Sequence, residues 1–112
     1  MTSQITTHVL DTAAGRPAQG VHASLQVLGE LDWRELAVGV TDSDGRITNL
    51  GPERLQGGTY RIEFATGPYF EASGTPSFFP SVALTFVVAD TGEHYHVPLL
   101  LSPFAYSTYR GS

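Results

Sequence analysis

The sequence predicts an all-β fold built from short strands, either a sandwich or a barrel. Runs in which apolar and polar residues alternate recur along all 112 residues, and they are rich in Val, Leu, Phe, Tyr and Thr. Glycine, proline and aspartate separate these runs, which is typical of turns between strands. The apolar spacing of a helix is nearly absent. The length suits one hydrophobic core, so we expect a single domain over residues 1–112.

Each strand is predicted from a period of two, because neighbouring residues of a strand point to opposite faces. After Gly20, for example, Val21 and Leu25 fall on an apolar face, whereas His22 falls on the opposite, polar face. The predicted strands cover residues 3–10, 21–28, 31–40, 59–65, 82–89, 94–101 and 104–110.

One short helix is expected between the fourth and fifth of these strands. The pattern predicts it over residues 69–73, with Thr66 as the N-cap and Pro68 near its start. Glu71 is placed to interact favourably with the helix dipole, and Gly74 can end the helix.

The composition argues against several classes of function. Six arginines, with no lysine, stand against eleven acidic residues, and the net charge of -5 leaves no basic stripe for a nucleic acid. We therefore expect no nucleic-acid partner. The lack of cysteine excludes disulfides, thiolate zinc sites and a thiol nucleophile. With 41% hydrophobic and 15% charged residues, the chain is apolar enough that we expect it to self-associate.

The sequence shows no sign of a targeting or membrane segment. No run has the length and apolar character of a membrane span, and the first residues lack the basic and apolar regions of a secretory signal. We therefore expect a cytoplasmic protein with no membrane partner.

Two histidines, His94 and His96, are predicted to share one face of the strand over residues 94–101. A His-x-His pair can begin a metal site, but zinc takes three or four ligands. The remaining donors are His8, His22 and the carboxylates, and nothing in their spacing completes a site. We therefore expect no metal and no cofactor, although a zinc hydrolase that uses His94 and His96 stays an alternative.

His8, Arg46 and the last residues of the chain are the other candidates for a site. His8 lies in the middle of the first predicted strand, on a face shared with Thr6 and Leu10, which suggests a solvated cleft. Arg46 follows a tight turn, and taken alone it is an ordinary solvated residue. Residues 106–112 hold two tyrosines, three hydroxyl residues and an arginine, which suggests a chain end held near polar groups.

Three groups of residues resemble the transthyretin-related family of 5-hydroxyisourate hydrolases. They are residues 5–12 (Ile-Thr-Thr-His-Val-Leu-Asp-Thr) with 15–18, residues 41–46 (Thr-Asp-Ser-Asp-Gly-Arg), and residues 94–103 (His-Tyr-His-Val-Pro-Leu-Leu-Leu-Ser-Pro) with 106–112. The last tetrapeptide, Tyr-Arg-Gly-Ser, is the family's most specific mark and separates these hydrolases from the vertebrate hormone carrier transthyretin. The resemblance covers the whole chain.

The resemblance implies a two-sheet, transthyretin-like sandwich of about eight strands with one short helix. It also implies a homotetramer whose central channel holds the active sites. The family's catalytic positions fall on His8, Arg46 and His96, and its substrate-binding tail falls on Tyr109, Arg110, Gly111 and Ser112. Phe104-Ala105 stands where many relatives have Tyr-Gly, a departure that leaves the catalytic positions untouched.

The implied reaction is hydrolysis of 5-hydroxyisourate, a purine-derived small molecule, to 2-oxo-4-hydroxy-4-carboxy-5-ureidoimidazoline in urate degradation. A neutral imidazole of His8 or His96 would take a proton from water, and Arg46 would offset the charge that develops on oxygen. Which histidine is the base stays open at this point.

Two other classes of function compete with the hydrolase. A non-catalytic transthyretin-like small-ligand binding protein is the main alternative, because the same sandwich carries a hydrophobic ligand in transthyretin and a fold does not fix a function. A structural β-sandwich module is a further alternative, but it leaves the three groups of residues without a common explanation.

Overall fold

A computed structural model describes residues 3–112, so the first two residues of the expected domain lie outside the described part. Within this range, nine strands form two sheets, and one helix follows the sixth strand. The elements are β1 (Ile5–Asp11), β2 (Arg16–Pro17), β3 (His22–Leu28), β4 (Trp33–Val40), β5 (Arg46–Ile47), β6 (Gly58–Phe64), α1 (Thr66–Ala72), β7 (Val82–Val88), β8 (Tyr95–Leu101) and β9 (Tyr106–Thr108).

The two sheets have a mostly antiparallel order. The five-stranded sheet runs β2-β1-β8-β9, with β5 also paired to β1, and the four-stranded sheet runs β4-β3-β6-β7. β1 and β8 are parallel neighbours, whereas the other pairs are antiparallel. The predicted all-β sandwich of two sheets with one short helix is thereby confirmed.

The core lies between the inward faces of the two sheets. Val9 and Leu99 of the five-stranded sheet are fully buried, as are Leu25, Ile62 and Phe64 of the four-stranded sheet. Burial of one such side chain contributes roughly 1.5–3 kcal/mol to stability. Because side chains alternate along a strand, the residues between these core positions on β1 and β8 lie on the outer face of their sheet.

Helix α1 begins earlier than the sequence predicts. It starts at Thr66 rather than at residue 69, so the assignment of Thr66 as N-cap is wrong; its hydroxyl donates to the carbonyl oxygen of Phe79 at 3.1 Å. Ala65 precedes the helix and makes no side-chain capping bond. Glu71 then falls near the C-terminal end, so the expected favourable interaction with the helix dipole is also wrong. No helix within residues 3–112 is long and apolar enough to cross a membrane.

The strands β2 and β5 are absent from the predicted set. Each of them has two residues and pairs with β1. Two residues are too few for alternation to be recognised in the sequence. The last strand also ends at Thr108, two residues before the predicted end, although Gly111 forms a further bridge to β8. These short pairings matter because they place the candidate site.

Candidate active site

The outer face of the five-stranded sheet carries the residues expected to be catalytic. Thr6 of β1 lies beside His96 of β8, and His8 of β1 lies opposite Arg46 of β5. Residues paired directly between neighbouring strands point to the same face of a sheet. We call the surface formed by Thr6, His8, Arg46 and His96 the histidine face. It brings together His8, Arg46 and His96, which are far apart in sequence.

A tight turn places Arg46 at the start of β5. The side chain of Asp42 accepts the backbone N–H groups of Asp44 and Arg46, each at 2.9 Å, and Gly45 adopts a φ of 76°. A Cβ at Gly45 would also collide with the carbonyl oxygen of Val9. The N–H of Arg46 is the largest cause that holds the pKa of Asp42 below its ordinary value. Arg46 thus leaves a well-defined turn with its side chain exposed.

His8 is half-buried and is bound by the same turn. Its Nε2 lies 2.8 Å from the carbonyl oxygen of Asp44. Because a carbonyl oxygen only accepts hydrogen bonds, Nε2 carries the proton and donates it. A neutral His8 therefore has its lone pair on Nδ1. The turn that positions Arg46 also fixes the orientation and the tautomer of His8.

His96 is half-buried beside Thr6, and its Nδ1 lies 2.8 Å from the Thr6 hydroxyl oxygen. Burial is the largest cause that lowers the pKa of His96 from the ordinary value of 6.5, followed by the charges of Arg46, His8 and His94. A lowered pKa keeps the imidazole neutral at neutral pH. A neutral imidazole can accept a proton from water.

His94 and Thr6 belong to this site, and neither was among the catalytic candidates. Nε2 of His94 lies 3.0 Å from the same Thr6 hydroxyl that contacts His96. Alternation on β1 does place Thr6 and His8 on one face, but the link to His96 depends on the parallel register of β1 with β8. Within residues 3–112 no three His, Cys, Asp or Glu side chains are grouped as ligands for a metal ion.

The glycine of the C-terminal tail packs directly on His96. Gly111 forms an antiparallel bridge with His96, and its N–H donates to the His96 carbonyl oxygen at 2.8 Å. A Cβ on Gly111 would lie 2.6 Å from Cδ2 of the His96 ring, closer than carbon atoms pack. The absence of a side chain at this position therefore lets the tail lie against the ring.

The other tail residues are placed differently. The guanidinium of Arg110 lies 4.3 Å from the centroid of the Tyr95 ring and 3.4 Å from a carboxylate oxygen of Glu93. Tyr95 faces the core, so the side chain of Arg110 is not directed onto the histidine face. Tyr109 and Ser112 are exposed.

A cavity of about 990 Å³ opens near the site but does not contain it. It lies between the β1–β2 turn and helix α1, and it is lined by His22 and Tyr69 among others, but by no residue of the histidine face. The hydroxyl of Tyr69 donates to Asp11 at 2.8 Å, and burial together with this bond raises the pKa of Tyr69 to about 12. His22 stays apart from the candidate site.

The chain is similar to known proteins over nearly its whole length. The model of the HIUase/Transthyretin family matches residues 5–111. A 5-hydroxyisourate hydrolase of Salmonella dublin is 48% identical over 109 residues, which cover 96% of this chain and 80% of the relative. The structure of Klebsiella pneumoniae 5-hydroxyisourate hydrolase has a TM-score of 0.85 at 40% identity, and covers 96% of this chain and 98% of its own. The structure of sea bream transthyretin in complex with thyroxine has a TM-score of 0.91 at 33% identity, and the match covers 96% of this chain and 94% of the transthyretin chain. The chain belongs to the HIUase/transthyretin family.

Proposed function

We propose that the protein hydrolyses 5-hydroxyisourate, a purine-derived small molecule, to 2-oxo-4-hydroxy-4-carboxy-5-ureidoimidazoline. The observation that carries the proposal is the position of His8, Arg46 and His96 on the histidine face. The names of the relatives support it, because proteins called 5-hydroxyisourate hydrolase align over nearly the whole chain.

In the proposed reaction, His96 acts as the base because its lowered pKa keeps the ring neutral. Water gives a proton to this ring, and the oxygen attacks a carbonyl carbon of the six-membered ring of the substrate. The C–N bond then breaks, and the leaving nitrogen takes the proton back. Arg46 stays cationic and stabilises the oxyanion, while His8 orients the water or the substrate. Water is the only co-reactant, and neither a metal nor a cofactor takes part.

The proposed substrate contacts of the tail differ among its four residues. Tyr109 and Ser112 are exposed and free to contact substrate, and Gly111 brings the backbone close to His96. Arg110 contributes by anchoring the tail through Glu93 and Tyr95.

The proposed working form is a homotetramer in which the histidine faces of different subunits enclose a channel. The site of a single chain is an open sheet surface, so a second chain is needed to enclose the substrate. Within residues 3–112, β7 and β9 each pair on one side only, and an unpaired strand edge can pair with another chain. Val87 and Phe104 are apolar side chains left 72% and 67% exposed.

We propose further that residues 1–112 form one domain and that the protein is located in the cytoplasm. Cell fractionation tests the location.

The decisive experiment is a coupled assay. Urate oxidase generates 5-hydroxyisourate from urate, and the decay of its absorbance is followed with and without the purified protein. We expect the protein to accelerate the decay in proportion to its concentration. Decay at the spontaneous rate, from a folded and oligomeric preparation, would overturn the proposal.

A small-ligand carrier is the second candidate, and the similarity to sea bream transthyretin with bound thyroxine favours it. Three imidazoles and a guanidinium on or beside one face make that surface polar, which suits catalysis better than an apolar ligand. Binding of thyroxine without any hydrolysis of 5-hydroxyisourate would support the carrier instead.

A further inference from the structure

One hydroxyl group connects two histidines at the edge of the proposed site. Oγ1 of Thr6 lies 2.8 Å from Nδ1 of His96 and 3.0 Å from Nε2 of His94. Thr6 itself is 5% exposed, so its hydroxyl is shielded from competing water. Both ring nitrogens therefore depend on Thr6 for their hydrogen bond.

A hydroxyl carries one proton, so it cannot donate to both rings. In one arrangement Thr6 donates to His96 and accepts from N–H of His94, which leaves the only proton of a neutral His96 on Nε2. In the other arrangement Thr6 donates to His94 and accepts from Nδ1–H of His96. Only the second arrangement leaves the lone pair of His96 on Nε2.

The charges around His96 favour the second arrangement. Arg46 of β5, His8 of β1 and His94 are the charged or titratable groups whose fields act on the His96 ring. Nδ1 is occupied by Thr6, so Nε2 is the ring nitrogen left for the histidine face. A cation on that face favours a lone pair over an N–H dipole that points towards it.

We infer that Thr6 and His94 are positioning residues that hold His96 in its Nδ1–H tautomer, with Nε2 free to take the proton from water. The inference rests on the proposed function for its catalytic consequence, but not for its structural content. The hydrogen bond on one ring nitrogen sets the proton on the other, so the tautomer is a property of the folded protein with or without substrate.

The test measures the tautomer directly. Nitrogen-15 NMR of labelled protein at a pH above the pKa of His96 distinguishes a protonated from an unprotonated ring nitrogen. We expect Nδ1 of His96 to be protonated and Nε2 to be unprotonated in the unaltered protein. A spectrum with Nε2 protonated would overturn the inference, whatever the enzymatic activity.

Replacement of Thr6 adds the second arm. Thr6→Val keeps the shape but removes the hydroxyl, so His96 should revert towards the Nε2–H form that free histidine prefers in water. On 5-hydroxyisourate we expect kcat to fall by about 10-fold to 100-fold with little change in KM, because only part of the base's contribution is lost. Thr6→Ser should restore both the tautomer and kcat. An unchanged tautomer in Thr6→Val would overturn the inference.

Thr7→Val is the matched control, because Thr7 is adjacent, fully buried, and donates its hydroxyl to the carbonyl oxygen of Val97 on the opposite face. It should lower stability as much as Thr6→Val does but leave the tautomer of His96 unchanged. His94→Ala should shift the tautomer in the same direction as Thr6→Val, since it removes the group that accepts the Thr6 proton. If the unaltered protein has the expected tautomer but no hydrolase activity, the proposed function fails and this inference stands.

Discussion

His8 and Arg46 lie directly opposite each other on β1 and β5, and one turn holds both. The turn ends at Arg46, and it also supplies the Asp44 carbonyl oxygen that binds Nε2 of His8. Any change that displaces this turn therefore moves a histidine and a guanidinium together. The two side chains are thus positioned by the same backbone segment.

Single replacement of each residue proposed to be catalytic should severely depress turnover. We expect losses on the order of 100-fold to 10,000-fold for His8→Asn and His96→Asn, and on the order of 100-fold to 1,000-fold for Arg46→Ala. Because Arg46 is exposed and both histidines are only half-buried, circular dichroism should show an intact fold.

Two further variants serve as controls for these replacements. His22→Asn, on β3, should be close to neutral. The His8 and His96 double variant should be little worse than the poorer single variant, since both groups serve one transition state. Normal turnover in all three single variants would support the carrier in place of the enzyme.

The acid limb of the pH profile should report the pKa of His96. This pKa lies below 6.5, so the neutral base is present above it, and kcat/KM should fall about tenfold per pH unit below it. The free energy of unfolding depends on pH in the same direction. The stability that neutral His96 contributes is fully present above the pKa of unfolded histidine, and it is lost as the pH falls through the lower pKa of His96 in the folded protein.

Arg46→Ala should raise the pKa of His96 towards 6.5, because a nearby positive charge is removed. An NMR titration measures this shift without any need for activity. A pKa that stayed the same or fell would show that the charge of Arg46 does not act on His96.

A methyl group on Gly111 should damage catalysis more than stability. In Gly111→Ala the new Cβ would meet Cδ2 of the His96 ring, so the ring or the tail must move. We expect kcat to fall roughly 10-fold to 100-fold, as for other small misplacements of a catalytic group. Gly58→Ala is the control, since its Cβ would meet only an ordinary contact at 3.7 Å from the Tyr60 ring. Equal kinetics in the two variants would contradict the role given to the tail.

Chelation should leave the rate unchanged. Nε2 of His94 and Nδ1 of His96 both form a hydrogen bond with the Thr6 hydroxyl, so neither nitrogen is free to bind a metal ion. The measurement is turnover after dialysis against a strong chelator, together with metal analysis of the purified protein. Stoichiometric zinc, with activity lost on its removal and regained on its return, would establish the zinc hydrolase in place of this scheme.

Light scattering should give the mass of a tetramer, four times the 12.0 kDa of one chain.

A charged residue at an exposed apolar position, such as Val87→Lys on the β7 edge, should weaken the assembly and lower activity with it. Leu31→Lys is the control, because Leu31 is 97% exposed and lies outside the strands. A stable monomer with full activity would refute a channel built from several subunits.

The alternation of apolar and polar residues predicted much of the fold, because it indicates which face of a strand each residue occupies. It placed His8 on one face with Thr6, and His96 on one face with His94. It could not predict the parallel pairing of β1 with β8, since the register between distant strands is not encoded in either strand alone. Thr6 was missed for this reason. The start of α1 was wrong because Thr66 binds the Phe79 carbonyl oxygen, a tertiary contact that overrides local capping preference.

The bridge between Gly111 and His96 has a consequence for folding of the protein. Thr7 of β1, for example, pairs with Val97 of β8, which lies 90 positions later in the chain. Pairing of such distant segments is slow, because a long loop must close before any contact forms. Because Gly111 lies outside the nine strands, loss of its bridge would remove the tail from the histidine face without removing any strand. Catalytic activity thus reports whether the tail has docked on His96, whereas a measurement of bulk folding does not.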